Sequence, residues 1–168
     1  MFYYDIISTP IGQLLLLSSD EGLKKILFED QFDTSSIDSN WYHDPSKLNL
    51  VKEQLDAYFS KTLTQFNLKL APEGTVFQKQ IWNELLQIPH GQIKSYQDIA
   101  NAIDKPTACR AVGMANSQNP IPIVIPCHRV IGKNGRLTGY AGGLENKSKL
   151  LQIENIDLEG NSKQYQLF

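Results

Sequence analysis

The sequence predicts an α+β protein in two parts, a small β-meander with one helix and then a mostly helical part. Two observations lead to this class. Short apolar runs separated by turn residues fill the first third of the chain, whereas apolar residues recur at helical spacing beyond residue 74. The chain has 168 residues, of which 41% are hydrophobic and 20% are charged. We therefore expect a sizeable core, divided between a domain at 1–74 and a domain at 75–168.

Three strands are expected at the beginning of the chain, because β-favouring runs alternate there with turn signals. Pro10–Gly12 separates the first strand from the second, and Ser19–Gly22 separates the second from the third. The predicted strands are Phe2–Ser8, Gln13–Ser18 and Leu23–Phe28.

The rest of the first domain is predicted to hold a loop, a helix and a short strand. Residues 29–47 are polar and acidic without a period, which indicates a loop, and Phe66–Leu70 alternates as a strand does. Ala71–Gly74 then marks the domain boundary. Between the loop and the strand, a helix is indicated by Leu48, Val51, Leu55, Tyr58 and Phe59, which recur at helical spacing.

The second domain is predicted to begin with three short helices. The first ends before Pro89, and Ser95–Asp98 resembles a capping box that opens the second. Asp104–Pro106 breaks the second helix, and Thr107 is predicted to cap the third, which runs to about Gln118. One face of the first helix carries Phe77, Ile81, Leu85 and Ile88.

The second and third of these helices form a helix-turn-helix pattern. The third helix is predicted to turn Ala108, Ala111, Val112 and Ala115 inward, and to present Arg110, Gly113, Met114 and Ser117 on the opposite face. That outer face has little bulk, so DNA could approach closely while Arg110 projects from it. A helical hairpin that binds nothing is the alternative interpretation, because the pattern alone is a weak signal.

The charge of the chain is distributed unevenly between its two halves. Residues 1–75 carry 6 basic and 11 acidic side chains, whereas residues 90–152 carry 8 basic and 3 acidic ones. An excess of positive charge of this kind indicates an anionic partner such as a nucleic acid, and a solvated charged face is the bland alternative.

Composition excludes several classes of protein. No apolar stretch approaches the roughly 20 residues of a membrane span, and the N-terminus lacks the features of a secretory signal. Two cysteines, Cys109 and Cys127, make neither a disulfide framework nor a zinc set of Cys and His pairs. We expect a cytoplasmic protein without a structural metal or a cofactor.

Cys127 is the first candidate for chemistry. It follows the apolar run Ile121–Pro126 and is adjacent to His128, a potential base, and Arg129, whose charge would lower the thiol pKa. The prolines of the run are expected to present Cys127 at the end of a strand. Inert packing is the alternative, because free cysteines are among the most buried residues.

Glu154 is the candidate partner of the histidine. A helix is predicted from about Leu144, with Leu150 and Leu151 on its apolar face, and Glu154 falls on that same face one turn later. A carboxylate there is costly to bury unless His128 or Arg129 pairs with it. A frayed helix end with Glu154 in water is the alternative.

These residues resemble those of a known family. Pro126–Arg129 (PCHR), preceded by Asn119-Pro and followed by Gly139–Gly143 (GYAGG), resembles the O6-alkylguanine-DNA alkyltransferases, also called methylated-DNA–protein-cysteine methyltransferases. The likeness is dense over about residues 75–156 and loose before them, through the turn Thr9–Gly12. It implies an RNase H-like N-terminal support domain and a winged-helix-like C-terminal domain that binds DNA and accepts the alkyl group.

The resemblance also implies a mechanism. Cys127 would attack the carbon attached to O6 of a damaged guanine, once His128, oriented by Glu154, had deprotonated it through a water. Asn119 would tie the helix-turn-helix to the active-site strand, and Tyr96 would aid rotation of the nucleotide and donate a hydrogen bond to the departing base. Because the thioether product has no route back to the thiol, each protein would act once.

DNA and base recognition are implied in the same way. Arg110 would fill the base stack that the rotated nucleotide leaves, from the minor groove of double-stranded DNA. The other residues expected to bind DNA are Thr107, Ala108, Gly113, Met114 and Ser117. The expected base pocket consists of Val130, Tyr140, Ala141 and Arg129, covered by the loop Gly139–Gly143. We expect a monomer, with O6-alkylguanine as the substrate and O4-alkylthymine as a further candidate.

Two other functions remain open at the level of sequence. A non-catalytic module that senses alkylated bases would bind the lesion without a change in protein mass, but relatives of that kind lack the acceptor cysteine. A cysteine hydrolase using Cys127, His128 and Glu154 would need an oxyanion hole, and it would turn over repeatedly.

Overall fold

A computed structural model describes residues 1–132, 135, 140 and 142–158 of the protein. The chain divides into two compact units. The first unit comprises residues 1–73 and the short segment 120–122, and the second comprises residues 74–119 and the residues from 123 onward. Mixed α+β architecture is therefore confirmed, with the strands concentrated in the first unit and the helices in the second.

The first unit is built on a four-stranded sheet. Strands β1 (Phe2–Thr9), β2 (Gly12–Ser19) and β3 (Gly22–Phe28) form the predicted antiparallel meander. The side chains of the run Leu14–Leu17 are all buried, which means that β2 is covered on both faces. Helix α1 (Asn49–Phe59) follows as predicted and buries Val51, Leu55 and Tyr58 at helical spacing.

Two predictions for the first unit are wrong. Residues 29–47 are not only loop, because strand β4 (Trp41–His43) pairs in parallel with β1 and completes the order β3-β2-β1-β4. A strand of three residues is too short to show an alternating pattern in the sequence, so β4 is recognised only by its pairing with β1. Conversely, Phe66–Leu70 forms a single bridge, between Leu23 and Leu70, in place of a strand.

Within this segment, the backbone of Asn67 bonds the side chain of Gln54 and not a neighbouring strand. The Gln54 amide donates to Asn67 O at 3.0 Å and accepts from Asn67 N at 2.8 Å. The backbone polar groups of Asn67 are thereby satisfied by a side chain, where a strand would satisfy them by a ladder.

The second unit begins with a well-capped helix. Helix α2 (Val76–Leu85) starts with a capping box between Thr75 and Gln78 and ends earlier than Ile88. Its buried face includes Trp82, whose indole N–H donates to Ala115 O at 2.9 Å. This bond ties α2 to the helix that contains Ala115.

The helix-turn-helix consists of α3 (Tyr96–Ala102) and α4 (Cys109–Ser117). The predicted capping box of α3 is confirmed, since Ser95 and Asp98 bond each other's backbone N–H groups. Gln97 spans the turn between the helices. Its amide donates to Pro106 O at 2.8 Å and accepts from the Cys109 thiol at 3.1 Å.

Two details of α4 differ from the prediction. Its N-cap is Ala108, without a side-chain cap, whereas Thr107 was expected there. Ala108 N bonds Lys105 O, so the chain still turns at Thr107, and the first intrahelical bond runs from Val112 N to Ala108 O. Ala111 is exposed and not inward, because the buried face consists of Val112, Ala115 and Asn116.

Helix α5 (Leu144–Ile153) completes the unit and begins where the sequence predicts. Strand β5 (Lys94–Ser95) pairs in parallel with β6 (Val130–Ile131). This pairing joins the N-cap of α3 to the residues that follow Cys127. No helix of the described residues is both long and apolar enough to span a membrane.

Candidate active site

Cys127 lies in a short 3-10 helix, Cys127–Arg129, and not at the end of a strand. Ile123 adopts a φ of 74°, and the run before Cys127 consists of turns. An extended strand cannot pass through a left-handed residue, which is why the predicted strand does not form. Cys127 N bonds Ile125 O at 2.8 Å, and Val130 N bonds Cys127 O, which closes the helix turn.

The 3-10 turn at Cys127–Arg129 allows the adjacent side chains of Cys127 and His128 to lie closer together than they would on a strand. Successive side chains on a strand point to opposite faces, whereas those of a tight helical turn are about a third of a turn apart. His128 is fully buried, and its Nε2 lies 2.5 Å from Glu154 Oε2. Because a carboxylate can only accept, Nε2 carries the proton and Nδ1 is left as an acceptor.

Glu154 is buried, with 2% of its surface exposed, so the frayed helix end is excluded. Besides His128, it accepts from Arg129 Nε at 2.7 Å, Arg129 Nη2 at 3.2 Å and Gly91 N at 3.1 Å. Burial alone would raise its pKa, but the hydrogen bonds and charges of His128 and Arg129 hold that pKa well below its usual range. The carboxylate is therefore ionised and fixed.

Arg129 holds this carboxylate in place. Its Nη1 donates to Ile88 O at 2.6 Å, and its other donors engage Glu154. A guanidinium with these partners is a rigid link between the Cys127 turn, the end of α5 and the segment after α2. We therefore treat Arg129 as a support for Glu154.

The thiol pKa differs from what the sequence predicts. Cys127 is 3% exposed, and burial raises its pKa above the usual value. Hydrogen bonds with Asn119 and Tyr140 and the positive charge of Lys147 oppose that rise. The cation beside the thiol is thus Lys147, because the charge of Arg129 is taken up by Glu154.

Lys147 was missed at the level of sequence. Its side chain is fully buried, and its Nζ donates to Val130 O at 2.7 Å. Burial lowers its pKa to about 8, and the charge of Cys127 opposes that shift. Lys147 precedes Leu150, Leu151 and Glu154 by three, four and seven residues, so the spacing that identified Glu154 could have identified it.

His128 is kept neutral in the resting protein. Burial lowers its pKa, although the hydrogen bond and charge of Glu154 raise it. Its Nδ1 has no hydrogen-bond partner among the described residues. A neutral imidazole with a fixed tautomer and an available Nδ1 is the arrangement that a general base needs.

Asn119 and Val130 also belong to this buried cluster. Asn119 is 7% exposed, and its amide donates to Ile125 O at 2.8 Å, so it ties the end of α4 to the segment before Cys127. Val130 is fully buried. Tyr140 is half-buried, whereas Ala141 lies outside the described residues, as does Gly139 of the predicted covering loop.

The residues predicted to bind DNA form a second group, on the exposed face of α4. Arg110, Met114 and Ser117 are exposed there, and Met114 retains 60% of its surface. Thr107 is exposed, Ala108 is half-buried, and Gly113 faces Tyr96, whose ring would lie 3.9 Å from a β-carbon at that position. Tyr96 thus links this group to the start of α3.

Comparison with known proteins agrees with this geometry. A family model described as the DNA binding domain of 6-O-methylguanine DNA methyltransferase matches residues 76–156. A second, described as the ribonuclease-like domain of 6-O-methylguanine DNA methyltransferase, matches residues 2–72. Together the two matches span both units of the chain.

Relatives and solved structures agree with the family models. The chain is 50% identical to a methylated-DNA–protein-cysteine methyltransferase of Methanosarcina barkeri, over 93% of this chain and 99% of that one. It is 43% identical to the constitutive enzyme of that name from Bacillus subtilis, over 93% and 97%. A crystal structure of Mycobacterium tuberculosis OGT in complex with DNA matches with a TM-score of 0.84 and 43% identity, over 90% and 92%. The chain therefore belongs to the 6-O-methylguanine DNA methyltransferase family, as its cysteine motif predicts.

Proposed function

We propose that this protein repairs DNA by transferring the alkyl group of O6-alkylguanine to its own Cys127, once per molecule. The observation that carries the proposal is the buried series Cys127, His128 and Glu154, in which an ionised carboxylate holds the histidine with its second nitrogen available. Membership of the methyltransferase family supports the substrate class.

The first step is formation of the thiolate. Because burial raises the pKa of Cys127, the thiol stays protonated until a base removes its proton. His128 Nδ1 accepts that proton through a water, and the resulting imidazolium is stabilised by Glu154 at 2.5 Å. Lys147 supplies positive charge beside the sulfur.

The second step is alkyl transfer. Cys127 Sγ forms a bond to the alkyl carbon while the bond from that carbon to O6 breaks, and the electron pair of the broken bond goes to the guanine. The guanine anion then takes up one proton, which balances the proton that His128 took from the thiol, and the Tyr96 hydroxyl is the proposed hydrogen-bond donor to the departing base. A thioether has no carbonyl carbon for water to attack, so Cys127 is not regenerated.

DNA recognition is assigned to α4. The damaged nucleotide must rotate out of the DNA duplex for its O6 substituent to reach Cys127, and this extrusion costs a few kcal/mol. Arg110 projects from a face whose other residues are mostly small, and it would fill the stack from the minor groove, where sequence preference is low.

The base is assigned to a site beside Val130 and Tyr140. Tyr140 lies close enough to the thiol to oppose the rise of its pKa, so a base held against Tyr140 would stand next to the sulfur. Because Cys127 is only 3% exposed, the proposal requires an opening beside the sulfur when the base binds. The protein would act as a monomer in the cytoplasm, where free thiols stay reduced.

Intact-mass analysis tests this proposal directly. The full chain is mixed with a molar excess of a duplex that carries one O6-methylguanine, and peptide mapping then locates any added methyl group. We expect one methyl on Cys127, none in the Cys127→Ala variant, and normal uptake in the matched Cys109→Ala control.

Three results would contradict the proposal. Methyl removal by Cys127→Ala would exclude Cys127 as the acceptor. Removal of more than one equivalent per protein would exclude a single turnover. Binding of the methylated duplex without any change in protein mass would indicate a non-catalytic lesion-binding module. The same experiment with a duplex that carries O4-methylthymine tests whether O4-alkylthymine is also a substrate.

A further inference from the structure

Two side-chain atoms near Cys127 are buried without a hydrogen-bond partner among the described residues. They are His128 Nδ1 and Asn116 Oδ1. Buried polar atoms without partners are rare in folded proteins, because each forfeits the hydrogen bonds that water would give it. Two of them close to one reactive thiol therefore indicate a shared partner.

Asn116 reaches the thiol residue from the DNA-facing helix. It is 1% exposed, on the face of α4 that also buries Val112 and Ala115. Its Nδ2 donates a long hydrogen bond of 3.4 Å to Cys127 O. One end of the amide is thus anchored to the Cys127 turn, which brings Oδ1 to the same turn.

The two atoms cannot satisfy each other. Asn116 Oδ1 is an acceptor, and His128 Nδ1 is an acceptor as well, because Nε2 carries the proton toward Glu154. A group with two donors must stand between them, and a water molecule has two. Its oxygen can at the same time accept from the Cys127 thiol, which completes the three bonds typical of a buried water.

We propose that Asn116 Oδ1 and His128 Nδ1 jointly hold the water that takes the proton from Cys127, which makes Asn116 a positioning residue for alkyl transfer. The inference rests on the proposed function, and it adds a residue that has no part in the assigned series. The water accepts the thiol proton and passes one of its own to His128, while Asn116 keeps its orientation. Since Asn116 belongs to α4, a movement of that helix on DNA binding would also move the water beside the Cys127 thiol.

The Asn116→Leu variant tests this role in the full chain. Leucine nearly preserves the shape of asparagine but removes the acceptor. We expect the rate of Cys127 alkylation by iodoacetamide at about pH 7 to fall about tenfold, and the half-maximal pH to rise by about one unit. Methyl transfer from O6-methylguanine DNA should fall by a similar factor.

A matched control is Asn83→Leu, the same change at an exposed position on α2, which should leave both rates unchanged. A purely structural role for Asn116 would lower the thermal midpoint of the variant without moving its pH profile. A wild-type pH profile in Asn116→Leu would therefore overturn the proposal. If wild-type protein takes up no methyl from DNA while its thiol profile still depends on Asn116, the proposed function fails and the water site stands.

A crystal structure of the wild-type protein decides the matter if the variant does not fold. We expect one ordered water within hydrogen-bond distance of Asn116 Oδ1, His128 Nδ1 and Cys127 Sγ. A water that contacts His128 but not Asn116 would overturn the proposal, as would an asparagine turned away from Cys127.

Discussion

At the scale of single residues, the chemistry depends on how charge is shared around Cys127. Glu154 neutralises Arg129 and remains the partner of His128, while Lys147 stands with the thiol. Glu154 and Arg129 thereby compensate each other's charge, whereas Lys147 lies beside a neutral thiol in the resting protein, and its burial lowers its pKa to about 8. In the proposed mechanism, the reactive state differs from the resting state by one proton, moved from the sulfur to the imidazole.

Glu154→Gln should destabilise the protein strongly at neutral pH. The change leaves Arg129 buried without its carboxylate, and breaking a buried ion pair in this way costs about 3–5 kcal/mol. The folded pKa of Glu154 is below its ordinary value of 4.5, so its contribution is present above that pH and is lost as the pH falls through the folded pKa. Urea unfolding at several pH values measures both effects.

The difference in unfolding free energy between wild type and Glu154→Gln should therefore shrink as the solution is made acidic. Glu145→Gln is the matched control, because Glu145 is exposed on the same helix and pairs only with Lys149 at 3.2 Å among the ion pairs of the described residues. It should change stability by less than about 1 kcal/mol. A difference that stays constant down to acid pH would contradict the assignment of an ionised Glu154.

Lys147→Met should make the thiol less reactive. With the positive charge removed, the pKa of Cys127 rises further, and we expect alkylation by iodoacetamide at about pH 7 to slow about tenfold. Above the pKa of Lys147, about 8, wild type loses the same charge, so the two rates should converge. Lys149→Met, at a partly exposed position on α5, is the control. Equal rates of wild type and Lys147→Met at about pH 7 would exclude the charge effect.

At the scale of elements, the proposed function assigns helix α4 to two sites, one on each face. Its buried face brings Asn116 to Cys127, and its exposed face presents Arg110 and Met114. Asn119, just beyond the helix end, holds the segment before Cys127. A helix that contacts DNA on one side and the reactive turn on the other can couple binding to chemistry without a flexible linker.

Arg110→Ala should separate duplex repair from the chemical step. Only a duplex needs its stack filled, so transfer from a methylated duplex should slow at least tenfold while reaction with free O6-benzylguanine changes little. Single-turnover rates on the two substrates measure this. Lys79→Ala, which removes an exposed positive charge from α2, should affect neither. Equal losses on both substrates would exclude the role of Arg110 in the stack.

At the scale of the whole molecule, charge distinguishes the two halves of the chain. Residues 90–152 have an excess of 5 positive charges, whereas residues 1–75 have an excess of 5 negative charges. The first unit buries the leucines of β2 around its own sheet. Among the described residues of either unit, no group of His, Cys, Asp or Glu could hold a metal ion. We therefore expect the second half to make the phosphate contacts.

DNA affinity should depend moderately on salt. Each neutralised phosphate contributes about −0.9 to the slope of log K against log salt. Residues 90–152 carry 8 basic side chains, of which Arg129 and Lys147 are buried, so at most 6 are left for phosphates and the slope should be no steeper than about −5. Fluorescence anisotropy with the Cys127→Ser variant measures it without alkyl transfer. Unmodified DNA should give the same slope, since phosphate contacts do not depend on the base. A slope near zero would argue against phosphate binding by this half.

Much of the fold is predictable because its signals are local. The three strands of the meander, helices α1 and α5, and the cap of α3 follow from spacing and turn residues within short windows. The predictions that are wrong concern segments that depend on distant neighbours. Strand β4 exists only through β1, and Gln54 takes the backbone groups of Asn67 that a strand would have used.

The same division applies to the active site. Sequence alone determined the thiol, its adjacent base and the carboxylate on the apolar face of α5, because motif and helical spacing are written in consecutive residues. Only the tertiary structure decided which basic side chain lies beside which acidic group: Arg129 lies beside Glu154, and Lys147 lies beside Cys127. Pairing of buried charges is a property of packing, because the partners lie 20 or more residues apart in the chain and are selected by geometry and desolvation.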